Sequence, residues 1–289
     1  MHYVNAKGIL SSKNGMNVYR GCTHGCIYCD SRSTCYQINH VFEDIEVKQN
    51  APILLEDALA HKRQKCMIGT GSMCDPYMHC EEQLRLTRRC LEIIESYGFG
   101  VTMITKSNRI LRDLDLLDKI NHKSKCVVQM TLTTFNEELC KIVEPHVSTT
   151  RERYEALKVF QEHGIPTIVW LTPILPFIND DENNLRGILN LCFDAGVKGI
   201  ICFGMGLTLR DGNREYFYQS LDQYFPGLKE KYQNKYGYTY EIISDNHQKL
   251  MKIFYEECHK HQVMSRPDEI FRYLSEFPRK KDFEQLRLF

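Results

Sequence analysis

"YRGCTHGCIYCDSRS", residues 19–33, places Cys22, Cys26 and Cys29 within eight positions. It directly follows a short apolar run, "MNVYR" (16–20), that reads as a first β-strand. A loop at the carboxyl end of a strand is where α/β folds collect their ligands. Gly21 and Gly25 permit a backbone tight enough to aim three thiols inward. Three is an odd number of ligands. A structural zinc site wants four, and His24 or Cys35 can complete it. A [4Fe–4S] cluster also takes four cysteines as a rule, so three would leave one iron with an open position. Open coordination goes with chemistry, as it does in catalytic zinc sites. The polar flanks argue against a chance group of buried cysteines.

Outward from this loop, apolar runs alternate with amphipathic ones. "KCMIGTGS" (65–72), "GVTMITKS" (100–107), "CVVQMTLTT" (126–134), "IPTIVWLTPILP" (165–176) and "KGIICFG" (198–204) read as strands. Between and after them lie helical stretches at 81–98, 108–120, 151–164, 181–196 and 213–225. Six βα units are too few for an eight-stranded barrel. The predicted fold is α/β, a partial (β/α)6 TIM-like barrel with a C-terminal helical cap; a doubly wound sheet is the alternative. The barrel core is assigned to residues 1–225. Residues 226–289 are read as an α-rich cap, with a helix from Asn246 to His261, ending in a flexible tail.

The composition limits the partners. Of 289 residues, 37 are Lys or Arg and 37 are Asp or Glu, so net charge gives no general case for nucleic acid or membrane. The cysteine count is 13, an odd number, and "MHYVNAKGIL" has no apolar leader. No apolar run reaches the ~18 residues of a membrane helix. These features predict a cytoplasmic protein with reduced thiols and no membrane association. Cys66, Cys126, Cys192 and Cys202 sit in apolar segments and read as small buried hydrophobes.

C-x3-C-x2-C after the first strand of a six-unit α/β fold resembles the radical S-adenosylmethionine (SAM) superfamily. "CDPY" (74–77), "LTRRCLEII" (86–94), "ITKSNRILRDLDLL" (104–117) and "ILPFINDDENN" (174–184) resemble its spore photoproduct lyase-related, DNA-repair-photolyase-like branch. The resemblance implies that Cys22, Cys26 and Cys29 hold three irons of a [4Fe–4S] cluster and that SAM chelates the fourth. Reductive cleavage of SAM would then give a 5′-deoxyadenosyl radical that abstracts hydrogen from substrate. It further implies cofactor contacts from Tyr28 beside the last cysteine, Lys106 and Thr131 near the SAM carboxylate, Arg153 reaching SAM with Arg151 as its competitor, and Ile174 near the adenine. Asn179 and Asp180 read as caps of the next helix.

The second-strand end, "GTGSMCDPY" (69–77), departs from the branch. The lyase carries a hydrogen-donating cysteine where this chain has Ser72. Cys74, two residues on, would share its face in an extended segment and is the candidate catalytic thiol. The departure argues against carrying over spore photoproduct repair itself.

The resemblance also implies an external electron donor of the flavodoxin or ferredoxin type, and a nucleic acid as one candidate partner. Arg85, Arg88, Arg89, Arg109 and Arg112 could form a basic surface, but ion pairs with Glu81, Glu82, Glu92 and Asp113 are the expected arrangement. The terminal "QLRLF" resembles peptides that dock on the bacterial sliding clamp, through Gln285, Leu286, Leu288 and Phe289. Two readings compete with a nucleic-acid-directed enzyme: a radical SAM enzyme acting on a small molecule or peptide, and a zinc-bound scaffold.

Overall fold

The computed structural model of the protein describes residues 1–278. Six parallel strands form one sheet in chain order: β1 (Gly15–Met16), β2 (Met67–Thr70), β3 (Gly100–Thr105), β4 (Cys126–Thr131), β5 (Thr167–Trp170) and β6 (Gly199–Ile201). The register runs through Ile68↔Val101, Met103↔Val128 and Val169↔Ile200. The helices that return the chain are α1 (Ala51–Ala60), α2 (Leu86–Ser96), α3 (Leu114–Lys123), α4 (Glu137–Val143), α5 (Thr150–Glu162) and α6 (Glu182–Asp194). Strand order never reverses, so the sheet is a partial (β/α)6 barrel and not a doubly wound sheet.

Side chains alternate between the two faces of each strand. On the convex face, Ile68, Val101, Met103, Val128 and Val169 join Leu91, Ile94, Leu117, Leu157 and Ile188 of the helices in one buried cluster. Both partners are apolar at that interface, which is why the sequence pattern exposed it. On the concave face, Met67, Val127, Ile168 and Ile201 pack against Ile270 and Leu274. Those two belong to the last of four C-terminal helices, α7 (Asn213–Tyr224), α8 (Leu228–Tyr236), α9 (His247–Lys260) and α10 (Pro267–Ser275). Above this plug lies a polar layer. The Trp170 indole N–H donates to Gln129 Oε1 at 2.8 Å, and Gln129 Nε2 donates to Thr102 Oγ1 at 2.7 Å.

Three local expectations change. The run 16–20 does not form one strand: Gly15–Met16 joins the barrel, and Tyr19–Arg20 turns away to pair antiparallel with Glu46–Lys48, which pairs with His2–Val4. The helix expected over 81–98 breaks at Arg85, whose φ is 48°. The buried Glu81 carboxylate accepts the Leu86 N–H at 3.0 Å and the Thr87 N–H at 3.1 Å, capping α2 from the preceding turn. Residues Asn108–Asp113 wind as a 3-10 turn before α3 begins.

Backbone pairing spans the 225/226 position. Strand β7 (Gly206–Thr208) pairs antiparallel with β8 (Glu241–Ile243). Helix α9 lays Leu250, Phe254 and Cys258 into the convex-face cluster. Among the described residues, no helix is long and apolar enough to cross a membrane. The segment carrying Gln285, Leu286, Leu288 and Phe289 lies outside the described residues.

Candidate active site

Cys22, Cys26 and Cys29 line one cavity of about 590 Å³ at the carboxyl ends of the strands. Small-molecule sites span roughly 300–1,000 Å³. Gly21 makes the turn possible: its φ is 84°, and a Cβ there would lie 2.4 Å from the Phe42 carbonyl oxygen. That same oxygen accepts the Cys22 N–H at 3.0 Å. Burial pushes the Cys22 and Cys26 thiols up from the ordinary thiol range; for Cys26, Lys106 acts in the opposite direction. A metal ligated by these sulfurs would hold them deprotonated.

The thiols are too dispersed for one zinc. Zinc–sulfur bonds of about 2.3 Å would bring its ligand atoms within roughly 4 Å of one another. Among the described residues, the one trio of such ligand atoms lying mutually within 4.8 Å is elsewhere, at His2, His40 and Glu46. Neither candidate fourth ligand is delivered. His24 Nδ1 sits 3.5 Å from Asp75, and Cys35 is exposed, its sulfur accepting from Arg210 at 3.3 Å. Wider spacing suits a cluster in which each cysteine holds a different iron.

Lys106 stands at the end of β3, and its amine faces the same cavity. The amine nitrogen lies 5.7 Å from the Tyr28 ring centroid and, among the described residues, makes no hydrogen bond or ion pair. Burial opposes its charge, but Cys26, Glu144 and Cys29 outweigh that and raise its pKa. Its backbone is fixed by Asp75, whose carboxylate accepts the Lys106 N–H at 2.7 Å, the Thr105 hydroxyl at 2.7 Å and the Tyr77 N–H at 2.8 Å. Asp75 thus ties the end of β2 to the end of β3. Gly71 allows the close approach: a Cβ there would fall 1.9 Å from the Ile104 carbonyl oxygen.

A buried brace stands behind the cysteine loop. The Tyr28 hydroxyl donates to Glu144, and Glu144 pairs with Arg153 at 2.5 Å. Arg153 also donates to the Thr131 carbonyl at 2.6 Å and the Thr149 carbonyl at 3.3 Å, with the Cys140 sulfur 3.2 Å from Nη2. Burial would raise the Glu144 carboxyl; Arg153 and Lys106 pull it below the ordinary range.

A sequence model of the radical SAM superfamily matches residues 16–187. The chain belongs to the radical SAM superfamily. Its relatives include an uncharacterized protein of Methanocaldococcus jannaschii, 33% identical over 181 residues, 62% of this chain and 67% of that one. An uncharacterized protein of Mycobacterium tuberculosis is 27% identical over 234 residues, covering 76% of this chain and 66% of the relative. The chain therefore spans about two thirds of the length of these relatives. A solved spore photoproduct lyase variant with bound AdoMet and dinucleoside spore photoproduct shares the fold: TM-score 0.61, 14% identity, 86% of this chain and 74% of that chain. A second lyase structure, complexed with the dinucleoside, gives a TM-score of 0.62 at 14% identity, with 90% and 78% covered.

Radical SAM proteins carry a [4Fe–4S] cluster and SAM, and their chemistry requires a reductant. The donors here fit that pair: three thiols from one loop, a lysine amine with no partner among the described residues, and a cavity of adequate size. Tyr28, Thr131 and Cys74 also line the cavity. Arg153 and Ile174 do not. The guanidinium of Arg153 is occupied by the Glu144 brace, and Ile174 packs in the convex-face cluster. The wall after β5 is formed instead by Trp170, Thr172 and Pro173. The Cys74 thiol donates to the Tyr19 carbonyl at 2.9 Å, and burial pushes its pKa up to about 12. Ser72 lines the same cavity.

Sequence reading missed Glu144, which is separated from Tyr28 by 116 positions and carries no local motif. It also missed the upper rim of Phe203, Glu241 and His247, and treated His24 only as a zinc ligand. Three of the five arginines pair as expected, whereas Arg85 and Arg89 make no ion pair among the described residues, Arg89 reaching only the Leu84 carbonyl at 3.4 Å. Arg88 pairs with Asp113 and Asp115, each at 2.9 Å, Arg112 pairs with Glu81 at 2.9 Å, and Arg109 pairs with Glu82.

Proposed function

We propose that Cys22, Cys26 and Cys29 hold the [4Fe–4S] cluster, that SAM lies between it and Lys106, and that the enzyme abstracts hydrogen from a nucleotide-bearing substrate. The observation carrying this reading is that the three loop thiols share a single cavity with a lysine amine that has no partner among the described residues. When bound, the cluster and SAM supply a 5′-deoxyadenosyl radical from an external electron. The Lys106 ammonium pairs with the SAM carboxylate in a water-poor site, where a charge-assisted bond is strong. Thr131 offers a hydroxyl at the neighbouring strand end. The Tyr28 ring, fixed through Glu144 and Arg153, packs beside the cluster loop. Cys74 is a hydrogen-atom source only after its thiol leaves the Tyr19 carbonyl.

Support for the substrate class comes from the rim. Phe203 is 60% exposed, meets Trp170 edge-on at 6.0 Å and stacks with Phe271 at 6.2 Å. Aromatic faces of this kind take flat bases. The shared fold with a lyase solved with a dinucleoside points the same way. The pairing of Arg88, Arg109 and Arg112 favours a compact ligand over a long duplex, which keeps a small-molecule or peptide substrate as the second reading.

Label transfer separates the two. Reconstituted enzyme with deuterated mono- and dinucleotides should place deuterium in 5′-deoxyadenosine. Transfer from deuterated peptides or sugars alone would move the assignment to the second reading.

A further inference from the structure

Outside the cavity, His2, His40 and Glu46 each offer a ligand atom within 4.8 Å of the other two. We propose that these three residues form a second metal site, for a divalent ion of the zinc type. His2 and Glu46 are register partners on adjacent parallel strands, so their side chains lie side by side on one face. His40 arrives from the loop before Glu46, its ring edge-on to that of His2 at 5.0 Å.

The hydrogen bonds prepare both imidazoles for a metal. His2 Nδ1 bonds Asp44 Oδ2 at 2.9 Å, and His40 Nδ1 bonds the Val41 carbonyl at 2.9 Å. A carbonyl only accepts, so His40 carries its proton on Nδ1 and presents a lone pair on Nε2. A carboxylate or carbonyl on the far nitrogen is the usual second support of a metal-bound histidine. His40 Nε2 is buried and has no hydrogen-bond partner among the described residues. An unpaired buried nitrogen is costly unless something fills its lone pair. Two imidazoles and one carboxylate suit zinc, with a water in the fourth position.

Its place suggests its role. Phe42, two residues after His40, supplies the carbonyl that accepts the Cys22 N–H. A metal joining His2, His40 and Glu46 would fasten that loop to the strands beneath it. The site is a staple behind the cluster loop and takes no part in the chemistry of the cavity.

The test uses full-length protein freed of any polyhistidine tag. With all three loop cysteines changed to alanine, equilibration with zinc and gel filtration should leave about one zinc per chain. Adding H2A and H40A should remove it. Cobalt should give a tetrahedral-type visible spectrum in the first protein and none in the second. Should the cysteine variant not fold, the same pair of histidine changes in the iron-loaded enzyme should remove zinc while iron stays at about four per chain. Zinc content unchanged by H2A/H40A, or no zinc retained in either background, would overturn the site.

Discussion

The two ends of the barrel's concave face have opposite characters. At the amino end, Met67, Val127 and Ile168 meet Ile270 and Leu274, with no charge among them. At the carboxyl end, Lys106 after β3, Thr131 of β4 and the cysteine loop after Tyr19–Arg20 face an open cavity. The Thr102–Gln129–Trp170 layer separates the two. One end has every side chain satisfied by packing. The other keeps the Lys106 amine and the three loop thiols without hydrogen-bond partners among the described residues, a state worth maintaining only for a ligand. Barrels commonly divide stability and function this way.

Mutations should respect that division. The largest effect is expected for C26A: iron falls from about four per chain to background, and 5′-deoxyadenosine is no longer formed, while chemical unfolding of the cluster-free protein changes little. E144Q leaves the buried Arg153 without its counter-charge. A broken buried pair costs about 3–5 kcal/mol, so urea unfolding should shift accordingly, the one case in which a carboxyl-end change destabilises the chain. I270A, at the other end, should cost about 2–5 kcal/mol through the cavity it leaves, with SAM affinity of the folded protein unchanged in equilibrium dialysis. K106M should be smallest. Losing one charge-assisted bond costs about 1.5–3 kcal/mol, about a tenfold to 150-fold weaker SAM, with iron content and stability preserved. Weaker SAM binding by I270A, or lost iron in K106M, would erase the contrast between the ends.

Much of this was legible in the chain itself. The alternation of apolar runs pointed to the six-unit sheet, and the family resemblance carried by the cysteine motif pointed to the cofactors, because both rest on local patterns. What the chain concealed was non-local. Nothing near Glu144 announces that it meets Tyr28 and Arg153, and the family position of Arg153 pointed at SAM when its guanidinium is occupied elsewhere. Helix α10 was passed over although Ile270 and Leu274 sit four apart, the spacing of one helical face. The segment was too polar overall to read as part of the barrel interior.

The central claim is that a loop supplying three thiols leaves one iron open to SAM. Its most direct test is electron paramagnetic resonance of the reduced, reconstituted enzyme with and without SAM. A spectrum that changes on adding SAM, in wild type at low concentration and in K106M only at higher concentration, is the expected result. Identical spectra with and without SAM, in a protein with a full complement of iron, would contradict it.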